Sequence, residues 1–215
     1  MTRKYEFTGE EKGFNGRILK RIRRISDGRV GGWIEKEENL SHHGSCFVFA
    51  NASVFGNAGV YDNASVYDNA SVFGNAYVYA NARVYDNASV FGNAYVYDNA
   101  HVFGDASVFG DASVFGDAHV FGDASVFGDA SVYDNARVFG GMVCTKDIMY
   151  ARLYRYIITC SDSHISVGCQ SHAFDFWKEH GEKLAKENNL SDTELALYKS
   201  VVLGMISYRE ANQKG

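Results

Sequence analysis

The chain has 215 residues, a formal net charge of -5, no Pro, 22 Gly, 15 Phe and 14 Tyr. That length suits one elongated repeat body with small flanking modules. No apolar run approaches the roughly 18 residues of a membrane span. Charge is uneven: residues 1–45 hold ten Lys and Arg against seven acids, while residues 46–141 hold only Arg83 and Arg137 against ten Asp, which excludes a uniformly basic groove for long nucleic acid.

Residues 1–45 read as an N-terminal β cap. Arg17 to Ile25 is strand-like, Ser26-Asp27-Gly28-Arg29 signals a hairpin turn, and Val30 to Ile34 returns. Val30 stands 18 residues before Val48, which would already place this strand on the first coil of the repeat body that follows. An open sheet end exposes backbone groups and needs such a cover. Lys20, Arg21, Arg23 and Arg24 are a conceivable phosphate site, although a solvated strand face beside an acidic body is the plainer reading. His42 and His43 read as loop residues.

Residues 46–141 repeat A-x-V-[F/Y]-[G/D/A]-[N/D], with sixteen Val spaced six apart from Val48 to Val138. A fixed six-residue period marks a β-helix built from hexapeptides. Ala and Val alternate along a short strand, so both face one side, and x and the aromatic face the other. The two remaining positions tolerate positive φ and make corners. Three strands per coil need about 18 residues, so sixteen hexads make about five coils, with Val and Ala inside and Phe and Tyr outside.

The repeat resembles the hexapeptide-repeat, left-handed β-helix family. Val-Tyr-Asp-Asn-Ala-Ser at 66–71 and Val-Phe-Gly-Asp-Ala-Ser at 108–113 fit its pattern except at the second position, where this chain has an aromatic. The resemblance, and not the period, supplies the left hand and the triangular coil. The stretch GGWIEKEENLSHHG at 31–44 is similar to hexapeptide proteins of enterobacteria and their phages, often described as transferases.

Every third hexad falls on the same face of the prism. One face is uniform, with Ser53, Ser71, Ser89, Ser107 and Ser125 before Val. A second carries Tyr77 and Tyr95. The third carries Phe47, Ser65, Arg83, His101, His119 and Arg137, beside Tyr85, Phe103, Phe121 and Phe139. Arg83, His101, His119 and Arg137 thus form a cationic column flanked by aromatics. Such a column suits phosphates and ligands with a π face. It equally suits a protein interface, or a device that breaks up exposed aromatic surface. Asp105, Asp111, Asp117, Asp123 and Asp129 occupy corners without the nine-residue calcium-binding repeat, so corner geometry accounts for them. No metal or other cofactor is expected.

Residues 142–215 read as a hairpin and helical module. Tyr154 to Thr159 pairs with Ile165 to Gly168, which places Cys160 opposite Ile165. ISVGCQSH at 165–172 resembles a short module of phage-encoded proteins that precedes a Trp-containing helix. A zinc site built from Cys169, His172 and either Cys160 or His164 is disfavoured by that register. Phe174, Trp177, Leu184 and Ala185 stripe a first helix. Ser191 to Glu194 is a capping box with Leu190 and Leu195 as staple, and Leu195, Tyr198, Val202, Met205 and Ile206 stripe a second.

Four scattered Cys without C-x-x-C spacing, and no apolar run of signal-peptide length at the start, suit reduced thiols and a cytoplasmic location. Three functions compete. The resemblance implies an acyltransferase in which His101 or His119, between the subunits of a trimer, acts as general base; yet the repeat has no inserted loop to build a substrate pocket, and fold alone confers no activity. A pure assembly module would use the aromatic ladders as zippers. The reading adopted is a non-catalytic phage-type binding or assembly protein, a homotrimer that sequesters a small anionic, nucleotide-like ligand as a counter-defence sponge. Arg83, His101, His119, Arg137, Tyr85, Phe103 and Phe121 would hold that ligand, with no membrane partner and no long nucleic acid.

Overall fold

The computed structural model describes residues 3–212. Its body is a parallel β-solenoid of about six turns, each repeat strand being the two-residue unit x-Val. Strands pair 18 residues apart, as Ser71 and Val72 do with Ser89 and Val90. Three parallel sheets result, in which successive rungs are joined by bonds such as Phe73 N–H to Val90 O, 3.0 Å. Val and Ala of every repeat are fully buried on the axis. Phe and Tyr lie outside, as the alternation requires.

The turn count exceeds the expected five because flanking segments join the sheets. Val143–Cys144 pairs above Ser125–Val126. At the other end an antiparallel hairpin, β1 (Tyr5–Phe14) and β2 (Arg17–Arg24), leads into β3 (Val30–Ile34), which pairs parallel with Ser53–Val54. The cap and solenoid share one hydrophobic core from Tyr5 to Ile148. β3 presses close to the axis because Gly31 and Gly32 lack side chains. A Cβ on Gly31 would stand 2.6 Å from Val48 O, and one on Gly32 2.5 Å from Ala52 O.

The return strand β3 does lie on the first coil, as expected, but not in the 18-residue register that sets Val30 beside Val48. Val30 is exposed and pairs with Arg23, whereas Trp33 and Ile34 enter the sheet beside Ser53 and Val54. Leu40 lies beside Val60 and Phe47 beside Ser65, so the corner 41–46 is two residues longer than its counterpart above. That insertion moves the cap out of 18-residue register.

Corners use two devices. The residue after the aromatic has positive φ, as in Asp86 (58°) and Gly92 (74°). At Asp62, Asp86 and Asp98 the carboxylate also accepts the next coil's amide, as Asp86 Oδ2 does from Gly104 N–H at 3.1 Å. The following residue builds ladders: Asn57 donates to Asn75, Asn75 to Asn93 and Asn93 to Asp111, at 3.1, 2.9 and 2.8 Å. A carboxamide both donates and accepts, so it extends a ladder, whereas a carboxylate only accepts and ends it.

The C-terminal module is a four-stranded antiparallel sheet, Met149–Leu153, Tyr156–Cys160, His164–Val167 and Gln170–Ala173. Two helices, α1 (Phe174–Glu187) and α2 (Asp192–Asn212), pack on it around a second core. Cys160 does oppose Ile165. Ser191 and Glu194 form the expected reciprocal cap. The module closes the solenoid's open end: Thr159 Oγ1 accepts Arg137 N–H at 3.1 Å and Ser166 Oγ donates to Arg137 O at 3.3 Å. Buried Arg209 donates to the Asp147 and Cys160 carbonyls. Among the described residues no helix is long and apolar enough to cross a membrane.

Candidate functional site

The 18-residue period stacks Ser65, Arg83, His101, His119 and Arg137 on consecutive rungs of one sheet. Each precedes an inward Val, so each side chain faces out. Phe47 begins the same column but is buried beneath the cap, with the Arg24 guanidinium 5.2 Å from its ring centre. The usable column therefore runs from Ser65 to Arg137.

His101 and His119 stack with ring centroids 4.9 Å apart and planes at 18°. Both are half-buried, and both have their pKa pushed below the ordinary histidine value. Burial is the main cause for each; the His119 ring and Arg83 add to it at His101, and Arg137 adds to it at His119, where Asp117 opposes. The free pair is therefore neutral at pH 7. Tyr85 Oη lies 3.5 Å from His101 Nδ1. Arg83 and Arg137 are exposed, and among the described residues neither guanidinium has a carboxylate partner.

Beside this column runs an aromatic ladder of Tyr67, Tyr85, Phe103, Phe121 and Phe139. Successive centroids are 4.8 to 5.0 Å apart and the rings are within 9° of parallel. This spacing corrects the expectation that Phe103 or Phe121 offers a free stacking platform. Tyr85 and Phe121 already cover both faces of Phe103, and Phe103 and Phe139 cover both faces of Phe121. A ligand meets ring edges, which carry the positive end of the quadrupole. His101 and His119 sit edge-on to Tyr85 and Phe103, with planes at 83° and 82°.

The N-terminal basic cluster is spent internally. Arg17 forks onto Glu35 at 2.8 and 2.9 Å, Arg21 pairs with Glu10, Arg23 with Glu6 and Arg24 with Asp27. The Lys20 ammonium lies over the Phe7 ring. His42 is part of the cap: it stacks on Tyr5 at 4.4 Å and accepts Lys4 N–H.

In ISVGCQSH, Cys169 is exposed at a hairpin turn while Cys160 is buried. His172 stacks on Phe176 at 3.8 Å and its Nε2 pairs with Gln170 Oε1 at 3.0 Å. Among the described residues no three His, Cys, Asp or Glu converge as metal ligands.

The column can hold an anion between two cations and two ring nitrogens that protonate on demand. Among the described residues the imidazoles' one hydrogen-bond neighbour is Tyr85 Oη, and no carboxylate orients either ring as a general base is usually oriented. No protein-family model matches the chain, and no curated protein matches it.

Proposed function

We propose that this chain is a non-catalytic, phage-type binding protein that sequesters a small anionic, nucleotide-like molecule along the column from Arg83 to Arg137. In this reading the solenoid is a hexapeptide-repeat, left-handed β-helix that assembles as a homotrimer, and the protein is a counter-defence sponge. The observation that carries the reading is two unneutralised guanidiniums bracketing a stacked imidazole pair held neutral by burial. On the cap, by contrast, Arg17, Arg21, Arg23 and Arg24 each pair with a carboxylate. A phosphate supplies the charge that lets the imidazoles protonate, and both Arg fork onto its oxygens. The base of the ligand then lies across the edges of Tyr85, Phe103 and Phe121.

Assembly is supported by the ladders on all three faces. Stacking half-buries most rings within one chain, yet Tyr95 stays 40% exposed on a face that also carries Tyr77 and Tyr79. A closed threefold assembly covers such faces without open filaments. Native mass spectrometry of protein from its host tests both halves. The reading expects three times the 23.8 kDa chain mass with a phosphate-bearing small molecule attached. A bare monomer would overturn it.

A further inference from the structure

The C-terminal module contains a cavity of about 200 Å³ between its sheet and its two helices. Its walls are Tyr156 and Val167 of the sheet, Trp177 and Leu184 of α1, and Tyr198 and Val202 of α2. These residues belong to the module's own core, which is separate from the core of the solenoid. Nothing in the cationic column reaches this site.

The chemistry of the walls defines what fits. Trp177 Nε1 donates to Ile165 O at 2.7 Å, and Tyr198 Oη donates to Leu153 O. Trp177 and Tyr198 have thus turned their donors to the backbone, and their rings line the cavity. The lysines at the mouth are likewise engaged: Lys199 and Lys186 both bind Glu182, at 2.8 and 2.9 Å, and Lys178 binds Glu210 at 2.6 Å, while the Glu179 carboxylate at the rim is turned to solvent. Any charged ligand would lose its hydration against the ring and aliphatic walls, and an anion would find no unpaired lysine there. The volume excludes a docking helix, whose diameter with side chains is about 10–12 Å. A cavity of about 150 Å³ lined by apolar residues takes up benzene.

We infer that this cavity is a binding site for a small uncharged apolar molecule, of the size of one substituted aromatic ring. It is independent of the anion site, so the module gives the protein a second, chemically opposite ligand.

Cys169 makes the site testable without altering it. It lines the cavity and is exposed, whereas Cys46, Cys144 and Cys160 are buried. A thiol reagent on the folded full-length chain therefore reads Cys169 alone. Toluene and benzoate, nearly equal in shape, are the probes, followed by ligand-observed NMR and by the rate of Cys169 alkylation. Toluene should bind saturably and slow alkylation, with benzoate at least about tenfold weaker. Val202→Trp, which fills the cavity, should abolish toluene binding while the circular dichroism of the two helices is kept. Should that variant unfold, the wild-type alkylation rate still decides. Toluene that fails to saturate, binds no better than benzoate, or leaves Cys169 alkylation unchanged overturns the inference.

Discussion

His101 and His119 stack on successive rungs with centroids 4.9 Å apart, and burial holds both below the ordinary histidine pKa. The unfolded imidazole titrates near ~6.5. Between that value and the lower folded one, the unfolded chain binds more protons, so stability falls as pH drops through the window and is fully present above it. The thermal midpoint should decline below pH ~6.5, and inorganic pyrophosphate should lessen the decline. His101→Ser with His119→Ser should flatten part of the slope, since His42 and His164 are lowered by burial as well. An unchanged slope in the double variant would remove the pair from the account.

Val90 and Phe91 are neighbours in sequence with opposite surroundings. Val90 is fully buried, and Phe91 is half-exposed between Phe73 and Phe109, each 4.8 Å away. Val90→Asp puts an unpaired carboxylate on a dry axis and should cost about 4 kcal/mol or more. Phe91→Ser breaks two ring contacts and should cost about 1–3 kcal/mol. Urea unfolding of the two variants checks the order, and the reverse order would invert the inside and outside of the solenoid.

The Asn ladders run one way, and Asp111 ends one of them. Asn93→Asp would set an acceptor against Asp111 and leave Asn75 as the ladder's last donor. It should lower the thermal midpoint by a few degrees, about 2–4 °C for each kcal/mol lost. Asp111→Asn should raise the midpoint instead, because the new amide gains a donor toward Asp129 on the next rung. Equal effects of the two substitutions would show that the ladder contributes nothing.

Gly31 lets β3 sit against the axis, and an added methyl would meet Val48 O and the Phe47 ring. Gly31→Ala should therefore loosen the cap. Amide exchange should rise in β2 and β3 first and leave the rungs around Val108 protected. Uniform loss of protection would mean that the cap and solenoid unfold as one unit.

The axis of the solenoid was legible because a six-residue period repeats the same environment sixteen times. The column was legible for the same reason: 18-residue spacing alone brings Arg83, His101, His119 and Arg137 into line. What escaped sequence reading lies between repeats or outside them. The aromatic ladders follow from the same spacing, but the Asn ladders and the ring-to-ring contact that covers both faces of Phe103 and Phe121 depend on contacts across rungs and have no signature within one hexad. β1 was missed although Asn15-Gly16, at φ 48° and 75°, is a strong hairpin turn signal. The two-residue insertion near His42 and His43 broke the register that Val30 was read by. The C-terminal cavity arises where two helices meet a sheet, a tertiary event with no local pattern, although Trp177, Tyr198 and Val202 were recognisable as apolar stripes.

Calorimetry of the full-length protein against a panel of nucleotides, with sizing of an Arg83→Ala and His101→Ala double variant, separates a ligand site from a subunit interface. Saturable binding of at least one phosphate-bearing nucleotide is expected, weaker at higher salt and stronger as pH falls toward the histidine range. The double variant should lose that binding and keep the trimer mass, because both side chains point away from the core. No heat with any nucleotide, together with a double variant that falls apart into monomers, would rule out the ligand site and leave the column as a subunit interface.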